Sequence, residues 1–143
     1  MRELNVAIEA LREIVNNTIQ SVQDHDLHVA MQIKPLAAVI STLCENLKAG
    51  HIRRLSQGLC GLEQGSAYNE LVNSFDHIAN HCVALSGVVR REYQEHPDYH
   101  VHSAKATELT EEEFQTIYDH FMKKYDMSDA VGRKVSIEAE SVK

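Results

Sequence analysis

The sequence predicts an all-α protein, namely a three-helix up-down-up bundle followed by an additional short C-terminal helix. In three long segments the large apolar residues recur at alternating steps of three and four, the spacing of helices that pack lengthwise on one another. The chain has only two prolines in 143 residues, and residues that favour helices are plentiful. A chain of this length fits one domain with one core.

Charge and cysteine usage exclude several classes of function. A formal net charge of −7 argues against electrostatic binding to DNA, RNA or an anionic membrane surface. The cysteines are Cys44, Cys60 and Cys82, an odd number without a CxxC pair, which favours a reducing cytoplasm over a disulfide framework. The sequence shows no run of 18 apolar residues, so we expect a soluble, cytoplasmic chain that does not insert into a membrane.

The first helix is predicted from Arg2 to about Gln23. Its expected apolar stripe is Leu4, Ile8, Leu11, Val15, Thr18 and Val22. The polar residues 24–26 then break the pattern, and three residues suffice for a turn between antiparallel helices.

The second helix repeats the pattern and is expected to stop at Gln57 and Gly58. Pro35 lies within it, where it should bend the helix or mark a late start. Residues 57–65 contain three of the six glycines and are predicted to form a loop. The expected stripe of this helix is Val29, Ile33, Leu36, Ile40, Leu43 and Leu47, and it continues toward Ile52 and Leu55.

The third helix is predicted from Gly65 to Glu95. Its expected buried stripe is Tyr68, Leu71, Phe75, Ile78, Cys82, Leu85 and Val89. The polar pairs Asp76/Asn80 and His77/His81 lie off that stripe, each pair one helical turn apart. We name these four residues the polar flank, and it is the candidate interaction surface.

Thr110 and Glu113 form a capping-box pattern that predicts a fourth helix from Glu111 to about Tyr125. Its expected apolar face is Phe114, Ile117, Tyr118, Phe121 and Tyr125. We assign residues 1–127 to the helical domain and residues 128–143 to a polar C-terminal tail.

His77 and His81 are spaced to bind one transition-metal ion, with Asp76 as a further ligand; surface histidines are the competing interpretation. A second cluster, His96, His100 and His102, more often binds adventitious metal. A catalytic pair of Cys60 and His51 is conceivable, but the sequence indicates neither an oxyanion hole nor an orienting third group. Phosphate-binding loops and hydrolase motifs are also missing from the sequence, so no enzymatic activity is predicted.

Three strings resemble the PhoU-like C-terminal domain of bacterial sodium/phosphate cotransporter family proteins. Residues 51–60, HIRRLSQGLC, are similar to the family's HIxRLxxGxC; residues 69–82 are similar to its LLxxLERIxDHCxNIA; and residues 114–126 resemble its short final helix. The resemblance covers about residues 2–127. PhoU proteins contain two similar three-helix units, and this chain is similar to the second. The family's metal-binding ExxxD pair is matched by Asp76 and Asn80, so an amide replaces one carboxylate.

The resemblance implies a cytoplasmic regulatory domain that controls sodium-dependent phosphate uptake through protein contacts, at the cytoplasmic face of the inner membrane if it is attached to a transporter. The expected partners are the sodium/phosphate transporter membrane domain or other phosphate-uptake proteins. A unit without its internal partner should expose the polar flank, so a homodimer is also expected. The alternative is a metal-binding helical sensor that holds zinc, iron or nickel through His77, His81 and Asp76. A helical enzyme that uses the histidine-rich loop is the weaker third hypothesis.

Overall fold

A computed structural model describes residues 2–96 and 107–128, and these residues form α-helices without any β-strand. The helices are α1 Arg2–Gln23, α2 Leu27–Ser56, α3 Leu62–Glu95 and α4 Glu111–Lys124. The predicted all-α class is therefore confirmed for the described part of the chain. The tail beyond residue 128 lies outside it.

The turn between α1 and α2 is short because Asp26 caps α2 directly. The side chain of Asp26 accepts a hydrogen bond from the backbone N–H of Val29 at 3.1 Å, and His25 adopts a positive φ of 50° to reverse the chain. Pro35 lies inside α2, which begins eight residues before it, so the late-start alternative is wrong.

α3 begins at Leu62, earlier than predicted, and Gly65 therefore lies in the helix instead of at the end of a loop. Glycine usually disfavours a helix, but here a contact between Gly65 and the end of α2 favours glycine within α3. A Cβ atom on Gly65 would lie 3.0 Å from Nε2 of His51 and 3.5 Å from Cδ1 of Leu55. Glycine lets the start of α3 approach the end of α2 closely.

α2 is the central helix, because α1, α3 and α4 all contact it. Of the six apolar residues predicted for its stripe from Val29 to Leu47, five are buried and Val29 is half-buried. The largest fully buried side chains of α2 are Ile33, Leu36, Val39, Ile40, Leu43 and Leu47. The predicted stripe of α2 is thus confirmed from Ile33 to Leu47, but its predicted continuation is wrong for Ile52, which is 63% exposed beyond the core.

The predicted stripe of α3 is wrong for three of its members. Leu71, Ile78 and Leu85 are 42%, 40% and 52% exposed. The buried residues of α3 are instead Gly65, Val72, Phe75, Ala79, Cys82, Ser86 and Val89. Small residues such as Ala79 and Ser86 fill the positions closest to the core, so a stripe drawn through the largest side chains is rotated toward solvent. On α1 a similar rotation buries Ala7 and Ser21 and exposes Val22.

Polar contacts tie the helix ends together at both ends of the bundle. At one end, Nδ1 of His25 lies 3.0 Å from the Glu92 carboxylate, and the hydroxyl of Tyr93 donates a hydrogen bond to the carbonyl of His25. At the other end, the Arg54 guanidinium lies 3.7 Å from the Glu3 carboxylate and over the ring of Tyr68. The end of α1 therefore meets the end of α3, and the start of α1 meets the end of α2.

α4 packs on α2 and reaches α1 through Glu13. Thr110 and Glu113 form the predicted capping box at its start. The Tyr118 and Thr42 hydroxyls lie 3.0 Å apart, the Tyr125 hydroxyl donates to the Glu13 carboxylate, and Lys124 pairs with Glu13 at 2.8 Å. α4 thus covers the groove between α1 and α2.

α2 contains an 18-residue stretch with a mean hydropathy of 1.4, so the helix is long and apolar enough to cross a membrane by length and composition. Of that apolar stretch, 56% is buried among the other helices. The core helix of a bundle passes the same test, so the apolar character of α2 is explained by its central place in the fold.

Candidate interaction surface

The structure separates the residues of the predicted polar flank. Asp76 is half-buried and accepts a hydrogen bond from the Ser41 hydroxyl of α2 at 2.5 Å. His77, Asn80 and His81 are exposed. Asp76 therefore joins α3 to α2, while the other three residues of the flank remain open to solvent.

Asp76 also acts on a buried thiol of α2. Burial, and then the negative charge of Asp76, raise the pKa of Cys44 to about 11. Cys44 is only 2% exposed, so its thiol stays protonated and packs as a small hydrophobic group. The contact with Ser41 and the effect on Cys44 both indicate a structural role for Asp76.

The histidines of α3 do not gather a complete set of metal ligands from the described part of the chain. Within residues 2–96 and 107–128, no group of three or more His, Cys, Asp or Glu side chains is placed to hold a metal ion. His77 and His81 supply two exposed imidazoles, and Asp76 is engaged with Ser41. Metal binding by these residues stays a prediction. His100 and His102 of the second cluster lie outside the described residues.

The structure brings the proposed pair of Cys60 and His51 close together, with Sγ 4.0 Å from Nδ1. His51 is 4% exposed and stacks on Tyr68 with ring centroids 4.5 Å apart. Its buried Nε2 makes no hydrogen bond to any described group. The stacking of His51 on Tyr68 packs the end of α2 against the start of α3.

Six aliphatic side chains form an exposed surface that the sequence did not indicate. We name them the exposed apolar stripe; they are Leu71, Ile78, Leu85 and Val88 of α3 with Ile19 and Val22 of α1. Each is between 40% and 52% exposed. The signal that could have found them is that α3 carries more large aliphatic residues than one buried face requires.

Helix geometry places the exposed apolar stripe on one side of the bundle. Ile78 is two residues from Asp76, so it points almost opposite to the side of α3 that faces α2. Val22 is nine residues, two and a half turns, from Glu13, so it points away from α4. α1 and α3 contact each other, and the stripe therefore borders their shared groove, away from α4.

No family model, curated protein or solved structure matches the chain. The candidate interaction surface is therefore described only by the burial and contacts of its own residues.

Proposed function

We propose that this chain is a regulatory interaction domain associated with sodium-dependent phosphate transport, and that it controls phosphate uptake through protein contacts. The observation that supports an interaction role is the exposed apolar stripe, since large aliphatic residues that are aligned and exposed on one side of a bundle are a candidate interaction site. The link to phosphate transport comes from the resemblance of residues 51–60, 69–82 and 114–126 to PhoU-like domains.

The proposed architecture is one PhoU-like unit, a three-helix up-down-up bundle with α4 added at the C-terminal side. The contacts of His25 with Glu92 and of Arg54 with Glu3 support this arrangement, because they pair helix ends at opposite ends of the bundle. The proposed partner is the membrane domain of a sodium/phosphate transporter, or another phosphate-uptake protein, at the cytoplasmic face of the inner membrane.

The test is phosphate uptake by native host cells that lack this chain and are complemented with variants. Wild type should restore regulated uptake, and Ile78→Asp should not, because a charge in the exposed apolar stripe opposes docking of a partner. Leu59→Asp is the matched control, since Leu59 is 70% exposed and lies in the α2–α3 loop. Normal regulation of phosphate uptake without the chain would contradict the proposed function.

The alternative function is a metal-binding sensor, favoured by the exposure and one-turn spacing of His77 and His81. Calorimetry with zinc, iron or nickel and chelator-treated protein separates the two functions. A tight stoichiometric site that His77→Ala abolishes would support the sensor, and the absence of binding heat would refute it.

A further inference from the structure

We propose that the exposed apolar stripe is occupied by a second copy of this chain, with the two α3 helices packed antiparallel. This inference rests on the interaction role proposed above and assigns the exposed apolar stripe to self-association, so that the dimer is the form of the chain that contacts the phosphate-uptake protein. It also moves the expected dimer contact from the polar flank to the aliphatic side of α3, and of the flank only His81 remains in the contact.

A row of exposed residues on α3 has the spacing of a helix–helix interface. Leu71, Ile78 and Leu85 are seven residues apart and therefore lie along one line of the helix. Together with exposed intervening residues they form a row that alternates by three and four, as in a coiled coil: Leu71, Ser74, Ile78, His81, Leu85 and Val88. This row is distinct from the buried face of α3, and no helix within residues 2–96 and 107–128 covers it.

Antiparallel packing pairs the large residues of this row with sterically suitable partners. In that orientation Leu71 lies across from Val88 of the second copy, and Leu85 lies across from the small Ser74. Ile78 and His81 form the central layer around the two-fold axis. Ile19 and Val22 of α1 widen the apolar surface near the Leu85 and Val88 end, because the ends of α1 and α3 meet there.

Charge complementarity selects the antiparallel orientation. Glu70 and Arg91 are exposed, lie three heptads apart beside the row, and make no ion pair with a described residue. Antiparallel packing brings Glu70 of each copy beside Arg91 of the other, which gives two ion pairs by symmetry. Parallel packing would instead bring two Glu70 carboxylates to one end and two Arg91 guanidinium groups to the other.

Sedimentation equilibrium of the full chain tests the pairing. We expect a monomer–dimer equilibrium for wild type below about 100 µM, monomer for Ile78→Asp and wild-type behaviour for Leu59→Asp. Circular dichroism and denaturation of Ile78→Asp, which alters a 40% exposed residue, check that the fold is retained. A monomeric wild-type chain at about 100 µM, or a folded Ile78→Asp chain that still dimerises, would overturn the proposal.

Charge reversal tests the orientation. Glu70→Arg should raise the dimer dissociation constant about tenfold, because it places like charges together in both symmetric pairs. Adding Arg91→Glu to Glu70→Arg should restore the wild-type value, and failure of that rescue would overturn the antiparallel arrangement. Unaltered phosphate regulation with an Ile78→Asp chain that has lost pairing would refute the proposed function without refuting the dimer.

Discussion

The two sides of α1 differ in what covers their apolar residues. Toward α2, α4 closes the groove with Phe121 and Tyr125, which are 4% and 8% exposed. Toward α3, Ile19 and Val22 remain 49% and 43% exposed among the described residues. Aliphatic side chains occur on both sides, so the presence of a covering helix, more than residue type, decides which of them become buried.

The covered side also uses polar contacts that fix the position of α4. Glu13 of α1 receives both the Tyr125 hydroxyl and the Lys124 ammonium group, and Tyr118 reaches Thr42 of α2. The open side offers Glu70 and Arg91 beside its aliphatic row, and neither charge pairs with another residue of the described chain. The covered side is completed within the chain, whereas the open side has the features of a surface completed by association.

The largest expected difference between the two sides is in folding stability. Phe121→Ala should lower the free energy of unfolding by about 3–4 kcal/mol, since it leaves a cavity under α4. Leu85→Ala on the open side should change it by less than about 0.5 kcal/mol, because Leu85 is half exposed. Urea denaturation at low protein concentration measures both. Equal losses would contradict the distinction between a covered and an open side.

The pH dependence of the free energy of unfolding tests the buried Cys44 thiol, which lies in the core between the two sides. Because the folded pKa of Cys44 is raised to about 11, its contribution to stability is present below its unfolded pKa and is lost as pH rises toward 11. We expect the free energy of unfolding to fall by about 2 kcal/mol between pH 9 and 11. In Cys44→Ala the fall should be smaller. An identical pH dependence in this variant would show that the buried thiol does not contribute.

A smaller effect on the free energy of unfolding is expected from Tyr125, which joins α4 to α1 through Glu13. Burial, the hydrogen bond to Glu13 and the charge of Glu13 raise the pKa of Tyr125, so this phenol stays protonated as a donor. Tyr125→Phe should cost about 1 kcal/mol at neutral pH by leaving Glu13 without that donor. It should also reduce the loss of stability above pH 10. Unchanged denaturation curves would show that the Tyr125 hydroxyl does not stabilise the contact between α4 and α1.

Local patterns predicted much of the fold. The capping box of Thr110 and Glu113 and the apolar stripe of α2 depend on residues within a few turns of one another, so both could be predicted from the sequence. The early start of α3 could not, because Gly65 is accommodated by its contact with His51 of another helix.

The candidate site was predicted less well, because it depends on how α3 is rotated about its axis. In the sequence, Leu71 and Ile78 have the same spacing as core residues. In the structure the smaller Ala79 faces the core instead, and this rotation of α3 leaves Leu71 and Ile78 exposed. The turning of Asp76 toward Ser41 likewise depends on a residue 35 positions away. Periodicity identifies the helix, but tertiary contacts decide which of two adjacent stripes is buried.

Cross-linking between copies tests most directly whether the open side is a self-association surface. Glu70→Cys and Arg91→Cys chains, each also carrying Cys60→Ser, are mixed and treated with a short bis-maleimide; Cys44 and Cys82 are buried. We predict that cross-links form mainly between residue 70 of one copy and residue 91 of the other, and that Ile78→Asp abolishes them. Cross-links that join residue 70 mainly to residue 70, or no cross-linked dimer in the mixture, would contradict the antiparallel pairing.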